Sequence, residues 1–482
     1  MSRLGRTAFV HFVAQSVMSA AGFAGTFAIA RLLGPGPLGS YTVALALAML
    51  WFTLPVNAIC SALTKRVSEQ TSPGEYLGAA VTWNTGFIVF VGATVYVAGT
   101  FLPAIVDPDA NEFVRILTSH TELVVLLFVS SVVYKTITST LNGEKRVGEM
   151  GVLSAVERVS RVILQIGLVV AGYAIGGLIF ATAVTLLLTA LAGAALVNTS
   201  LRLPTWDHVT SIKDYAKYAW LGTLKSRAFG WMDTIVMSFF IGSTLIGIYE
   251  AAWGIASLLG VVSLSVRTTL FPEISELQSK QDTSAVKHLL EEGIVYNGIF
   301  AIPGLVGACI IGPRILRIYG PEFPQGSTIL VLLVGAYTIN VYGDQFSSTL
   351  GAVDRPDIGF RLNAVFVVSN LVLNLALVPL FGWFGAAIAT LTSAVVWVVA
   401  GYWAIRAVVG TFEIPWRSLL AQVLAALGMG GTVAIAESFV SPGVWVTVEL
   451  VGFGAVTYTA FLIALSRRAR DKARMLLGEL VP

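Results

Sequence analysis

Read from one end to the other, the chain alternates between apolar runs of roughly 20 residues and short polar or Gly/Pro-rich breaks, with no polar stretch long enough for a soluble domain. Runs of that length cross the hydrocarbon of a bilayer as helices. The pattern predicts fourteen of them, at approximately 8–30, 38–63, 76–103, 114–141, 147–172, 175–199, 216–241, 246–271, 289–312, 326–350, 358–381, 384–406, 416–436 and 444–466. The expected fold is therefore an all-α polytopic membrane protein. Pro55 and Pro303 fall inside the second and ninth runs. There the missing N–H and the ring clash free carbonyls and bend the rod, as a packed kink or as a hinge. The stretch from Glu273 to Glu292 reads as an amphipathic segment on the membrane surface.

The pattern is written twice. Gly34, Leu38, Gly39 and Tyr41 belong to the tight turn Ala30-Arg31-Leu32-Leu33-Gly34-Pro35-Gly36-Pro37-Leu38-Gly39-Ser40-Tyr41, and they reappear about 208 residues later as Gly242, Ile246, Gly247 and Tyr249. Gly177, Ala181 and Thr182 match Gly385, Ala389 and Thr390 at the same offset, while Arg146 matches Arg355 and Pro103 matches Pro313 one or two residues out of step. Six predicted helices precede the second copy, and an even number returns the chain to its starting side. The copies thus share one orientation and form a parallel repeat about an axis along the membrane normal. This divides the chain into an N-terminal six-helix lobe at 1–205, a C-terminal six-helix lobe at 206–411, and two extra helices with a basic tail at 412–482. The linker from Leu201 to Lys217 is the expected joint. Parallel-repeat transporters hold their substrate at the interface between the halves.

Composition agrees with a chain that lives in the bilayer: 56% of the 482 residues are hydrophobic, only 12% are charged, and the mean hydropathy is +0.81. Soluble domains carry about 25% charged residues. A net charge of +3 gives no reason to expect nucleic acid as a partner. Twenty Lys and Arg fall on one set of loops, among them Lys65, Arg66, Lys145, Arg146 and the tail Arg467, Arg468, Arg470, Lys472 and Arg474, against Arg31, Arg115, Arg314 and Arg317 on the other. The positive-inside rule then makes both termini cytoplasmic, in the cytoplasmic membrane. The sequon Asn198-Thr199-Ser200 falls on the inner side and reads as chance. Arg3 and Arg6 before an apolar run imitate a signal peptide, but the repeat needs that first helix, so no cleavage is expected. Cys60 and Cys309 lie inside apolar runs and read as buried thiols. The sequence holds no phosphate loop, His/Glu metal motif or nucleophile elbow, and His11, His120, His208 and His288 are scattered. The reading is a non-enzyme without a cofactor, a coupling H+ or Na+ aside.

Charge appears where the bilayer makes it expensive. The fifth predicted helix carries Glu157, Arg158 and Arg161, and the seventh carries Lys225, Arg227 and Asp233, all near the middle of their runs. A charge at the bilayer centre costs about 2.5 to 3.5 kcal/mol on insertion scales. Arg158 and Arg161 share a helical face, and Glu157 and Arg161, four apart, are spaced to pair. Lys225 and Arg227 diverge by roughly 200° around the axis, and snorkelling brings one head round. Two readings stay open. In one, Glu157 with Arg161, and Asp233 with Arg227 or Lys225, are buried pairs that lock the lobes. In the other, the surplus of Arg158, Arg161, Lys225 and Arg227 lines a water-filled cavity and receives an anionic head group, the planar arginine fork suiting phosphate oxygens. Asp233 and Asp344 either bind the coupling ion or serve as structural partners, and Glu250 adds a further acid. Lys135 and Arg267, nearer the helix ends, are expected to snorkel out. Trp231 packs or stacks on a sugar ring; Asn84, Asn340, Asn363, Asn370 and Asn374 are expected to hydrogen-bond between helices.

Two stretches carry a family resemblance. Ala30-Arg31-Leu32-Leu33-Gly34-Pro35 with Gly39 and Tyr41, and the run from Asn370 through Asn374, Pro379, Gly382 and Gly385 to Ala389-Thr390, resemble the two signatures of the polysaccharide transporter (oligosaccharide flippase) family. Its superfamily also contains multidrug and toxin extrusion transporters and peptidoglycan-precursor flippases. The second copy departs from the first where Ser243 replaces Pro35 and Ile241 replaces Leu33. The resemblance implies a V-shaped, two-lobed transporter that moves a polyprenyl-linked saccharide across the cytoplasmic membrane by alternating access. Its implied partners are the bilayer, the glycan substrate, and glycosyltransferases or a polymerase of the same pathway. Cavity cations are a tendency of that family without a fixed motif, so Arg158, Arg161, Lys225 and Arg227 stand on depth and charge alone. The rival readings are a cation-coupled drug or metabolite antiporter, which calls for an acid-rich cavity, and a non-transporting scaffold of a glycan-synthesis complex. A membrane-embedded glycosyltransferase would need a loop with paired acids.

Overall fold

The computed structural model describes residues 3–471, the side chains at 3–16, 50, 51, 218–223, 226 and 228 excepted. Lys472 and Arg474 of the expected basic tail, and the side chains of Arg3, Arg6 and His11, lie outside the described residues. Those described form helices and no strand, in two compact units, Met1–Gly247 and Ile248–Pro482. The first unit holds α1 (Arg3–Leu33), α2 (Pro35–Leu45), α3 (Leu54–Ser68), α4 (Pro73–Phe101), α5 (Glu112–Ser119), α6 (Thr121–Gly143), α7 (Val147–Val170), α8 (Ile175–Ala194) and α9 (Trp206–Phe240). The unit boundary falls in the first turns of α10 (Ser243–Ser279). The second continues through α11 (Thr283–Arg317), α12 (Ser327–Ala352), α13 (Pro356–Phe381), α14 (Trp383–Val409), α15 (Trp416–Ser438) and α16 (Val444–Leu465). Ten helices are long and apolar enough to cross a membrane, or eleven if the bent α2 and α3 form one span, among the described residues. This is a multi-pass membrane protein.

Several expected boundaries move. Only the first part of the expected linker is irregular: from Trp206 onward it is the start of α9, capped by Thr205, whose hydroxyl lies 2.7 Å from His208 Nδ1. The Glu273–Glu292 stretch is not a separate surface helix. Glu273 belongs to the last turns of α10, and α11 begins at Thr283 under an Asp282 cap whose Oδ1 accepts from the Ala285 N–H at 3.0 Å. The expected single helix at 114–141 is split at His120 into α5 and α6, and α11 continues through Pro303 and Pro313. Cys60 is buried as expected, whereas Cys309 is exposed on the surface of its unit; both are free.

The duplicated turn explains its own glycines. Gly34 takes φ 80°, where a side chain is strained, and Pro35 opens α2 with its φ already set. Gly39 and Gly247 serve a different purpose. A Cβ on Gly39 would lie 1.9 Å from the Ser243 carbonyl oxygen, and one on Gly247 would lie 1.9 Å from that of Pro35. All four residues lie in the first unit, and each glycine makes room for the backbone at the start of the other helix, α10 for Gly39 and α2 for Gly247. Tyr41 and Thr182, also repeated, form a buried knot: the two hydroxyls lie 2.8 Å apart, and Gln165 Nε2 donates to Tyr41 at 2.7 Å and to Thr182 at 3.1 Å. This ties α2, α7 and α8 together. In the second copy Asn370 Nδ2 donates to Thr390 Oγ1 at 3.1 Å, which joins α13 to α14.

Candidate functional site

The intramembrane cations of the first unit sit on three helices, α6, α7 and α9. Helix α7 lies close along α1 because α1 has glycines where they meet. A Cβ on Gly22 would come within 2.6 Å of Arg158 Nη2, and one on Gly25 within 2.8 Å of Val162 Cγ2. The half-buried Arg158 guanidinium thus occupies the space above Gly22 and lies within electrostatic reach of Arg161. Arg161 is held by its own helix: its Nε lies 3.3 Å from Glu157 Oε1, with both side chains 7% exposed. This is the i, i+4 pair that the spacing licensed. The approach is ionic without hydrogen-bond geometry, and Glu157 Oε1 has no hydrogen-bond donor among the described residues.

On α9, Lys225 is buried with its ammonium 5.5 Å from the centre of the Phe229 ring, a cation–π distance, while Arg227 is half-buried. Asp233, two turns on, is buried in the same unit. Trp231 packs in a small apolar cluster with Ala46 and Ile235.

Lys135 on α6 does not snorkel outward. The chain between α2 and α3 is a π-helical turn, Ala46–Trp51, followed by a bend of 52°. The Phe52 N–H reaches back to Leu47 at 3.1 Å, and Pro55 has no N–H to offer the Trp51 carbonyl. Turns of this type concentrate at functional sites. Here the break is closed by Lys135, whose Nζ donates to Asn57 Oδ1 at 2.8 Å, Thr53 Oγ1 at 2.9 Å and the Met49 carbonyl at 3.5 Å. Lys135 also lies within electrostatic reach of Arg227. Sequence reasoning missed this group. The available signal was a polar Asn57 next to Pro55 in an otherwise apolar run, since a proline break needs a donor nearby.

Asp344 lies in the second unit. It accepts from Asn340 Nδ2 at 3.0 Å and stands 3.8 Å from Arg267 Nη1, so Arg267 also turns inward rather than to the helix end. Of the asparagines, Asn84 and Asn370 bond between helices, Asn84 Nδ2 donating to Thr136 at 2.9 Å; Asn374 donates within its own helix, to the Asn370 carbonyl at 3.0 Å. No group of three or more His, Cys, Asp or Glu that could hold a metal ion occurs among the described residues.

Residues 4–278 match the sequence profile described as "Polysaccharide biosynthesis protein". The chain belongs to that polysaccharide biosynthesis family. Within it, the chain is 30% identical to the probable flippase AglR of Haloferax volcanii, over 99% of both chains. It is 26% identical, again over 99% of both, to the probable low-salt glycan biosynthesis flippase Agl15 of the same organism. Its fold is that of the solved lipid II flippase MurJ in the inward closed conformation, at a TM-score of 0.80 and 16% identity, covering 95% of this chain and 99% of that one. The family membership and this helical fold agree with the all-α polytopic membrane protein read from the sequence. Among the described residues, Lys135, Arg158, Arg161, Lys225 and Arg227 stand in the apolar parts of α6, α7 and α9, with Glu157 and Asp233 as the acids there.

Proposed function

We propose that the protein is a flippase that translocates a lipid-linked oligosaccharide, carried on a polyprenyl phosphate or pyrophosphate, across the cytoplasmic membrane for glycan assembly. The observation that carries this reading is the similarity along 99% of both chains to a relative named a probable flippase. The cationic excess of the first unit supplies the chemistry. A phosphate carries its charge out of water only where cations replace its hydration, and Arg158, Arg161, Lys225 and Arg227 are such cations. Because Arg161 is engaged by Glu157, Arg158 and Arg227 are the leading phosphate ligands. The prenyl chain stays in lipid, and alternating access follows the two sequence copies, 1–205 and 206–411, within a scheme of fourteen membrane helices. Both termini are cytoplasmic, the Asp233 or Asp344 carboxylate is available to a coupling H+ or Na+, and glycosyltransferases or a polymerase of the same pathway are the expected neighbours.

The test is translocation in proteoliposomes of a short fluorescent oligosaccharide on polyprenyl pyrophosphate, beside a phosphate-free analogue and a cationic dye. Movement of the phosphorylated lipid alone is expected. The Arg158→Gln/Arg227→Gln double variant should insert normally and lose at least tenfold in rate, about 1.4 kcal/mol of binding. Movement of the dye alone would mean an antiporter; undiminished flipping by the double variant would remove these arginines from the site.

A further inference from the structure

A pocket lies beside the start of α3, just after the break between α2 and α3. Leu54, Pro55, Ala58 and Ile59 of α3 form one wall of a pocket of about 510 Å³ that Trp83 and Phe87 of α4 and Ala216 of α9 complete. That volume lies in the range of small-ligand sites, about 300–1,000 Å³. The interior is apolar. Trp83 spends its indole N–H on the Val209 carbonyl at 3.0 Å and so turns only its ring to the pocket. The polar groups are at the rim: Lys213 and Lys217, one helical turn apart on one face of α9 and both exposed. Lys65, 4.7 Å over the Tyr215 ring, adds positive charge from α3. Asp214 lies beside them, and its Oδ1 accepts from Lys217 Nζ at 3.0 Å. That hydrogen bond holds the Asp214 carboxyl below its usual range, so it remains an anion beside Lys217 at neutral pH.

A hydrocarbon-lined pocket beneath a cationic rim, on a membrane protein, matches one class of molecule. We infer that it binds one membrane phospholipid with an anionic head group, a stretch of acyl chain lying against Leu54, Pro55, Trp83 and Phe87 while the phosphate meets Lys213 and Lys217. Lysines that only snorkel to the interface would show no head-group preference. Here the pocket fixes where the chain lies, and the two lysines at its rim fix where the charge must be. The inference rests on the lining of this pocket and does not depend on the flippase reading.

Native mass spectrometry of the full chain in detergent tests this, with phosphatidylglycerol and phosphatidylcholine of identical chains as the added lipids. One phosphatidylglycerol should be retained in preference to phosphatidylcholine. Each lysine near a membrane surface contributes about fivefold, so Lys213→Gln/Lys217→Gln should weaken phosphatidylglycerol about 25-fold and phosphatidylcholine, whose phosphate is offset by its own ammonium, far less. Asp214→Asn, which removes the competing anion, should tighten phosphatidylglycerol severalfold. Ala216→Trp, which fills the pocket, should lower retention of both lipids, and Lys280→Gln, in the exposed turn just after α10, should change neither. Equal retention of the two lipids, an undiminished preference in the double lysine variant, or displacement of phosphatidylglycerol by an equal amount of polyprenyl phosphate would overturn the assignment.

Discussion

In the first copy of the repeat the second helix is broken; in the second copy its counterpart is continuous. α2 and α3 meet at a π-helical turn and a 52° bend, while α10 runs from Ser243 to Ser279 without interruption. At the offset of 208 residues, Pro55 corresponds to Ser263, which keeps its N–H and is 2% exposed. The charges differ in sign as well. Lys135 corresponds to Asp344 at the offset of 209 that relates Arg146 to Arg355. In the first copy the ammonium meets the oxygens of the break; in the second the carboxylate meets Arg267 and Asn340. The physical link is the carbonyl. A broken helix releases carbonyl oxygens that carry partial negative charge and need a donor, so a cation opposite the break is stabilised. At the matching position α10 keeps the Ser263 N–H and releases no carbonyl there, although Pro272 lies further along the same helix, and the facing position is open to an acid. Duplication preserved the helix order while a single proline changed what the neighbouring helix must supply.

That comparison is easiest to break by moving the proline. Ser263→Pro would remove a hydrogen bond from the buried face of α10 and drive the ring into the preceding turn, with no ammonium opposite to satisfy the freed carbonyl. A loss of about 3 kcal/mol or more is expected, read as a lowered midpoint of thermal unfolding in detergent; an unchanged midpoint would mean that the proline does not decide the break. Next in size is Lys135→Met. It keeps the volume of the side chain and leaves Asn57 Oδ1 without its donor, for an expected loss of about 1–3 kcal/mol by the same measurement. Arg267→Met should be the mildest, at less than about 1 kcal/mol, because the Arg267 and Asp344 side chains are 32% and 22% exposed at a separation of 3.8 Å. If Arg267→Met destabilises as much as Lys135→Met, the two copies rely on their buried charges equally and the asymmetry drawn here is wrong.

Much of the molecule was legible in the residues. Helix positions follow from the apolar runs because the lipid admits few other backbone solutions, and the i, i+4 spacing of Glu157 and Arg161 offered their pairing as one of two open readings. The duplicated turn was also visible, although its glycines looked like turn residues. Gly34 is one, by its positive φ; Gly39 and Gly247 are conserved between the copies because another backbone lies where their side chains would be. What escaped the reading shares one cause. Lys135, Arg267 and Gln165 sit opposite partners between 17 and 124 positions away, and no local periodicity reports such a pairing.

By itself, then, the sequence determined a multi-pass helical membrane protein, its internal duplication and its family, because hydropathy and repeat spacing are properties of the chain taken locally. It also selected the cations that have no business in a bilayer without a reason. Only the tertiary structure decided which of them are already engaged: Arg161 by Glu157, Lys135 by the oxygens of a broken helix, Arg267 by Asp344. It alone revealed a pocket edged by Lys213 and Lys217, since its walls come from three helices. The physical reason is range. Burial and helix formation depend on neighbours along the chain, whereas the partner of a buried charge is chosen by packing in three dimensions.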